Sequence, residues 1–198
     1  MNVRLEHRFR FLANVFANGY LQVNEYDVEL SMITASEDGT QYSLAMDRLM
    51  YFVEEIFENC IFVGHEDAAI ELLSALGTDV VELPDVPVDQ IIGMMLFCKL
   101  NAIMEQRMVI YSVGIQSRLG SHVKYLHSAQ EPLGPFESDG WWHSHELNCF
   151  DVKLKNTQSV VEIKPTESWK DIGLGWDDEP VSSVPGEVVF AKFNKDEN

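Results

Sequence analysis

Apolar and charged side chains alternate along two segments near the start of the chain. In residues 3–11 the odd positions carry Val, Leu, His, Phe and Phe, while the even positions carry only Arg or Glu. The alternation recurs in residues 21–33, and an Asn18-Gly19 pair lies between the two segments. A period of two is typical of a β-strand with one buried face, and Asn-Gly is typical of a tight hairpin turn. The pattern predicts an antiparallel pair of strands.

Three later segments show the apolar recurrence of a helix. The first is predicted at about residues 43–59, and a shorter one at residues 67–76 that ends at Gly77. The third should begin near Asp85 and Pro87, because an Asp side chain can cap a helix and a first-turn proline needs no N–H partner. Its apolar positions form a broad face: Ile91, Ile92, Met94, Met95, Leu96, Leu100, Ile103 and Met104. A helix this apolar is expected to pack against a sheet.

Two further strands complete the predicted domain. Residues 107–115 place Val109, Tyr111, Val113 and Ile115 on one parity, and residues 122–127 are expected to pair with them across the Gly120 turn. The order of elements predicts an α+β domain over residues 1–128, with an antiparallel four-stranded sheet and helices on one face. Neither the first nor the fourth strand contains a proline, so both edges are expected to be open.

The character of the chain changes after residue 128. Residues 129–198 are rich in proline and acidic residues, with short strands expected at residues 160–163 and 188–193. We interpret them as an extension that packs on the main domain or on a neighbouring subunit. Its aromatic residues predict an anchor for packing or for a protein partner: Phe136, Trp141, Trp142 and Phe150.

Composition narrows the class of protein. The 32 acidic and 14 basic residues give a formal charge of −18, which disfavours direct nucleic-acid binding because phosphate contacts need clustered Lys and Arg. No apolar run approaches the ~18 residues of a membrane span. Cys60, Cys98 and Cys149 lie far apart, as expected of free thiols in a reducing compartment. These features predict a cytoplasmic protein with no membrane contact.

The order of the predicted elements is similar to that of a known family. Residues 1 to about 128 resemble the 6-pyruvoyltetrahydropterin and 6-carboxytetrahydropterin synthases, which have the T-fold and join their sheets between subunits. The similarity lies in the element order, in Gly39 and the helix with Leu49, and in the segments VGHEDAAIELL and LPDVPVDQIIG. The resemblance implies a ring-forming homo-oligomer.

The family's functional residues are largely replaced. The resemblance implies a zinc held by three histidines, but the matching positions carry Asn14, Gln22 and Asn24, and carboxamides are poor zinc ligands. Gln116 stands where the family has its pterin-anchoring glutamate, and no cysteine occurs early enough to match the nucleophile. Only His65 matches a catalytic position. We therefore expect these five residues to form the remnant of a ligand pocket, without catalytic residues, metal or cofactor.

A second group of metal-ligating side chains lies in the extension. His143, His145 and Cys149 fall within seven residues, and a His-x-His pair on a strand projects both rings to one face. No fourth ligand follows at a typical spacing, and the alternative is that these histidines are interface residues beside Trp141 and Trp142. Both interpretations stay open on the sequence.

The sequence favours a non-catalytic T-fold scaffold or interaction protein that assembles into a ring, with the extension reaching a neighbour or a partner. A viral or mobile-element origin is one interpretation of its acidic, divergent character. One alternative is an active pterin-synthase-like enzyme that uses different residues. Another is a binder of purine-like or pterin-like rings through Gln116 and Asn24.

Overall fold

The computed structural model describes residues 3–34, 39–65, 67–74, 79–147 and 168–176. Its strands are β1 (Arg4–Ala17), β2 (Tyr20–Thr34), β3 (Ile61–Gly64), β4 (Val80–Leu83), β5 (Met108–Ser117) and β6 (Tyr125–Ser128). Its helices are α1 (Gly39–Tyr51), which continues as a π-helical turn (Phe52–Phe57), α2 (Ile70–Ser74) and α3 (Asp89–Met104). Short 3₁₀ turns follow at Gly134–Glu137 and Trp141–His143. The α+β class predicted from the sequence is confirmed.

The sheet is mixed and has six strands in the order β4-β3-β1-β2-β5-β6. The four predicted strands are present, and their pairs β1–β2, β2–β5 and β5–β6 are antiparallel. The four-stranded antiparallel prediction is wrong, because β3 and β4 add two strands that run parallel to β1. Both have only four residues, IFVG and VVEL, and most of their side chains are buried. Such short strands give no period-two signal.

The β1–β2 hairpin is the longest feature of the sheet. Its strands pair without a break from Arg4 opposite Ile33 to Ala17 opposite Tyr20. Asn18 and Gly19 form the turn with φ values of +53° and +78°, as a type I′ turn requires. The face of the hairpin that carries Phe11 and Tyr26 packs against α1 and α3, and we call it the core face. The opposite side is the outer face.

Helix α3 is buried on nearly every side, which its mostly apolar sequence explains. The predicted apolar positions are all buried, and Leu96 is fully so. The helix begins at Asp89, later than the predicted start, and its N-cap residue Val88 makes no side-chain cap. Asp85 instead accepts a hydrogen bond from the backbone N–H of Val86, 2.6 Å away.

Strand β5 changes its parity at a β-bulge. Ser112 pairs with Ser31, but the next pair is Ile110 with Met32, so the register shifts around Tyr111. Val113 and Ile115 therefore share the core face with Ile110, which is fully buried. The predicted common face of Val109, Tyr111, Val113 and Ile115 is wrong, because the bulge inverts the two positions before it.

Helices cover both faces of the sheet, contrary to the prediction of one. The short helix α2 contributes Leu73 to a small second core with Ile61, Val63 and Val80 of β3 and β4. Phe16 packs against this cluster from the outer face of β1. A second, smaller layer therefore protects the added strands.

Residues 129–147 and 168–176, which we call the strap, lie against α1 and α3. They place five aromatic side chains in the main core: Phe136, Trp141, Trp142, Trp169 and Trp176. The strands expected at residues 160–163 and 188–193 lie outside the described residues. Among the residues that are described, no helix is long and apolar enough to cross a membrane.

Candidate functional site

The five residues expected in a remnant ligand pocket do not meet in one place. Gln22 and Asn24 lie on the core face of β2, whereas Asn14 lies on the outer face of β1, opposite Val23. Gln116 is opposite Asp27 on the outer face of β5, in a small recess. His65 follows β3 in a separate cleft beside the hairpin turn. The predicted grouping is corrected accordingly: strand parity separates the residues between the two faces.

The residues around Gln22 and Asn24 do not fit the zinc ion that the resemblance implies. The β1 residue opposite Gln22 is Val15, whose aliphatic side chain cannot bind a metal. The Oδ1 atom of Asn24 already accepts a hydrogen bond from the N–H of Leu119 at 3.0 Å. Within the described parts of the chain, no three His, Cys, Asp or Glu side chains come together as a metal site would require. We derive no chemistry through a metal here.

Asn24 belongs instead to a buried polar cluster that the sequence did not reveal. The Ser117 hydroxyl donates to Asp89 Oδ1 at 2.7 Å and accepts from the N–H of Gly120 at 3.0 Å. A β-carbon on Gly120 would stand 2.2 Å from Asp89 Oδ2, so the turn packs directly on the start of α3. Burial raises the pKa of the neighbouring Tyr26 hydroxyl. Ser117 is buried, and the cluster fastens the β5–β6 turn to the start of α3.

The cleft that contains His65 has a volume of about 290 Å³. His65 Nδ1 lies 3.1 Å from Glu82 Oε2, and both side chains are about half exposed. Asp67 and Asp85 also line the cleft, opposite Phe16 at the end of the hairpin. The arrangement can hold a small polar or cationic molecule, and the described residues that line it include no Ser, Thr, Cys or Lys.

The aromatic residues of the strap are buried within the chain itself. Phe136 is fully buried, and the exposed fractions of Trp141 and Trp142 are only 5% and 7%. Trp142 packs edge-on against Phe136, and its indole N–H points to the carbonyl oxygens of Phe136 and Ser138. Of the two roles expected for this anchor, packing within the chain is seen here, and contact with a partner stays a prediction. Phe150 lies outside the described residues.

Two buried cations fasten the strap to the helices. Lys99 of α3 donates from Nζ to the carbonyl oxygens of Trp141, Ser144 and Glu146 at 2.8–3.3 Å. Arg48 of α1 lies between the rings of Trp169 and Trp176, and donates from Nε to the carbonyl of Leu174 at 2.7 Å. Its Nη1 also pairs with Glu105 at 2.8 Å. A hydrogen bond from a charged donor is stronger than a neutral one, which explains how irregular backbone is held over the core.

His143 and His145 make hydrogen bonds within the strap. His143 Nε2 lies 2.6 Å from the carbonyl oxygen of Phe136. The carbonyl oxygen of His145 accepts a hydrogen bond from the indole N–H of Trp169 at 2.6 Å. Cys149 lies outside the described residues, so the metal interpretation stays a prediction. Cys60 and Cys98 are buried and form no disulfide within the described residues, and burial raises the pKa of Cys98 to about 12.

Most strand edges are occupied by side chains. At β4, the indole N–H of Trp141 donates to the carbonyl of Glu82 at 3.0 Å. At β5, the amide of Asn101 bonds both the N–H and the carbonyl of Ile110, at 2.9 and 3.2 Å. At β6, Glu131 accepts from the N–H of Ser128 at 2.9 Å and donates its own N–H to the Ser128 carbonyl at 3.0 Å. The expectation of an unprotected fourth strand is therefore wrong.

Strand β1 has no such cover over its first half. Strand β3 pairs with β1 only from Asn14 to Phe16, and Glu58 and Asn59 bond the backbone of Leu12. Because alternate residues of a strand point to the same side, the backbone groups of Arg4, Glu6, Arg8 and Arg10 face the same edge as Leu12. Among the described residues, no strand lies beside these four. We call this segment the open edge of β1.

Comparisons with known proteins give structural similarities only. No protein-family model matches the chain, and no curated protein matches it. An uncharacterized protein from Wolinella succinogenes is similar in structure, with a TM-score of 0.49 and 10% identity over 66% of this chain and 99% of its own. A catalytic-residue variant of Plasmodium vivax 6-pyruvoyltetrahydropterin synthase has a TM-score of 0.42 and 12% identity, over 64% of this chain and 97% of its own. The Plasmodium falciparum synthase has a TM-score of 0.39 and 14% identity, over 64% of this chain and 96% of its own.

Proposed function

We propose that this protein is a non-catalytic scaffold of T-fold type that self-associates through the open edge of β1. The observation that carries the proposal is the contrast along the sheet. Outward backbone groups on β4, β5 and β6 are bonded by Trp141, Asn101 and Glu131, whereas four consecutive outward positions of β1 have no strand beside them among the residues that the structure describes. An unpaired row of N–H and C=O groups is a template for another strand.

The side chains of the open edge favour a second copy as the partner. Arg4, Arg8 and Arg10 make this segment basic, with Glu6 as its single acidic residue, in a chain whose formal charge is −18. Arg8 and Arg10 pair with Glu29 and Asp27 on the neighbouring strand, at side-chain exposures of 67%. A basic strand is attracted to the acidic surface of another copy, and this attraction weakens with salt.

Pairing of β1 with a different edge of the next copy is a head-to-tail contact. Such a contact closes into a ring when the rotation between copies allows it, and otherwise continues as a filament. Closure removes the open edges, so we expect a cyclic homo-oligomer. The scaffold role is supported by the positions of the five residues of the expected pocket, which are divided between two faces of the sheet and a separate cleft.

The test is the mass of the protein in solution across dilution, at physiological salt. The wild type should associate, and Arg8→Pro should abolish association because it removes an outward N–H without breaking the β1–β2 ladder. Arg8→Ala is the matched control, since it removes the same charge but keeps the N–H. A wild type that remains monomeric at every concentration would overturn the proposal.

The His65 cleft supports a second candidate function, the binding of a small ring-shaped ligand. His65 lines the cleft, and the contact of its Nδ1 atom with Glu82 leaves Nε2 as the second hydrogen-bonding atom of the ring. Thermal stabilisation by purine-like or pterin-like compounds, lost in His65→Ala, would establish this function. No stabilisation by any of them would remove it.

A further inference from the structure

The second part of the strap, residues 168–176, is a single turn that caps its own ends, and we call it the clip. The N–H and the hydroxyl of Ser168 both donate to the carboxylate of Asp171 at 2.8 Å, as in the capping box of a helix. At the other end, the N–H of Leu174 donates to the carbonyl of Trp169 at 2.7 Å, and the glycine before Leu174 has a φ of +78°. A left-handed glycine with such a hydrogen bond is typical of a Schellman cap.

Side chains, not backbone pairing, hold the clip on the domain. The indole N–H of Trp169 donates to the carbonyl of His145 at 2.6 Å, and that of Trp176 donates to Oε1 of Glu105 at 2.7 Å. The backbone–backbone hydrogen bonds that the described structure shows for the clip all lie within it. The clip can therefore leave the domain without losing the bonds that shape its own turn.

The surface that receives the clip is formed by α1 and the turn after α3. The Arg48 guanidinium lies 3.8 Å from the centre of the Trp176 ring and 4.8 Å from that of Trp169. The Arg107 guanidinium lies 4.5 Å from the same Trp176 ring, and Tyr51 packs edge-on against Trp169. A guanidinium over an indole ring is a favourable cation–π contact. The surface therefore recognises two indole rings at a fixed spacing.

The connection to the clip is longer than its position requires. Because His145 contacts Trp169 directly, the two parts of the strap lie close together. Residues 148–167 connect them, and a chain of 20 residues can span up to about 70 Å. A span of that size exceeds the width of a domain of this length. The connection is therefore long enough for the clip to reach the same surface on a neighbouring copy.

We propose that the clip of one copy docks on the receiving surface of a second copy, so that associated copies exchange their clips. A second copy is the fitting partner because it offers the clip the same contacts as its own chain does, which is the condition for exchange of an element between protomers. Local concentration then decides between the two surfaces. The contact uses Arg48, Glu105 and Arg107 and not the open edge of β1, so it is a second attachment between copies.

The experiment mixes two full-length variants, each of which lacks one side of the contact between Trp176 and Glu105. Glu105→Gly keeps the clip intact but removes the acceptor of the indole N–H, and glycine suits the φ of +46° at this position. Trp176→Leu keeps the surface intact but removes the indole. In the mixture, the dissociation constant from sedimentation should be about tenfold lower than in either variant alone, because an intact clip then meets an intact surface on another copy.

Gln106→Gly is the matched control for Glu105→Gly. Gln106 is the next residue, it is exposed, and its φ of +64° also suits glycine. Its clip should stay on its own chain, so mixing it with Trp176→Leu should change the dissociation constant less than about twofold. The tryptophan emission of Glu105→Gly alone should move to longer wavelength and return when Trp176→Leu is added. An unchanged emission in Glu105→Gly would overturn the assigned surface.

The outcomes separate clip exchange from association through β1. If the mixture is no tighter than its two components, while the wild type associates and Arg8→Pro does not, clip exchange is wrong and the role of β1 stands. If the mixture associates while the wild type stays monomeric, the proposed function falls and clip exchange stands. If neither associates, both fall. Thermal unfolding of each variant confirms that it is folded.

Discussion

The two sides of the central hairpin are protected in different ways. Beyond β2, the strands β5 and β6 have outward backbone groups that Asn101 and Glu131 bond in place of a neighbouring strand. Beyond β1, the described residues cover only the end near the hairpin turn, by β3, Glu58 and Asn59. A single side chain can therefore close an edge in this fold. The first half of β1 is the segment through which we propose that the protein associates.

The largest loss of stability should come from a substitution in the core on the β2–β5–β6 side of the hairpin. Leu96 of α3 is fully buried beneath the sheet, so Leu96→Ala should lower the free energy of unfolding by about 2–5 kcal/mol through the cavity it leaves. Val23→Ala, at an exposed position of the hairpin, should change it by less than about 0.5 kcal/mol. Equal losses in chemical denaturation would show that the two regions do not differ in packing.

A smaller loss should follow when the strap loses its buried cation. Lys99→Met leaves the carbonyls of Trp141, Ser144 and Glu146 without their charged donor, and we expect a cost of about 1–3 kcal/mol. Lys170→Met, at an exposed position of the strap, is the control and should be near neutral. Tryptophan fluorescence should report a looser environment only in the first variant. An unchanged spectrum and stability would mean that Lys99 does not hold the strap.

Comparison of the predicted and observed elements shows which parts of the fold the sequence alone could predict. Long alternating or strongly apolar segments were predicted, since β1 and β2 carry a clear period of two and α3 is mostly apolar. The strands β3 and β4 were missed because segments of only four residues, most of them buried, show no clear period. The β5 bulge was missed because nothing in the local sequence marks the extra residue. Tertiary contacts decided each of these features.

The candidate site was harder to predict, for a similar reason. Asn14 is at an even position of β1, whereas the core-facing residues of this strand are at odd positions. This difference could have identified Val15, not Asn14, as the core-facing residue. The partners of Trp141 could not be foreseen, because Lys99 and Glu82 are 42 and 59 residues away in sequence. The polar cluster around Asp89 likewise joins β2, α3 and the β5–β6 turn. Only the folded chain brings these groups together.

A substitution that exposes the edge of β5 would test whether covered strand edges limit association. Asn101→Ala removes both hydrogen bonds to the backbone of Ile110, and it should cost about 1 kcal/mol because water can replace part of the loss. The variant should also associate more strongly than the wild type, since β5 then has a free edge of its own. If sedimentation shows no change in association, side chains that bond strand edges do not control assembly here.

The smallest effect concerns pH and the core-facing side of β1. Burial lowers the pKa of His7, whose Nε2 atom lies 3.2 Å from the sulfur of Met50. The unfolded chain therefore binds a proton more readily than the folded one, and stability should fall as the pH drops below about 6.5. His7→Leu should flatten this dependence by less than about 1 kcal/mol, and the same change at exposed His145 should not. Identical profiles for the two variants would place His7 in solvent.

The central claim is that the open edge of β1 is the association surface, and amide hydrogen exchange across dilution tests it directly. In the antiparallel ladder, the N–H groups of Phe9 and Phe11 point to β2, whereas those of Arg8 and Arg10 point outward. The account predicts that Phe9 and Phe11 are protected at every concentration. Arg8 and Arg10 should gain protection only at concentrations where the mass shows association. Outward amides that exchange freely in the assembled protein, or that stay protected in the dilute monomer, would contradict it.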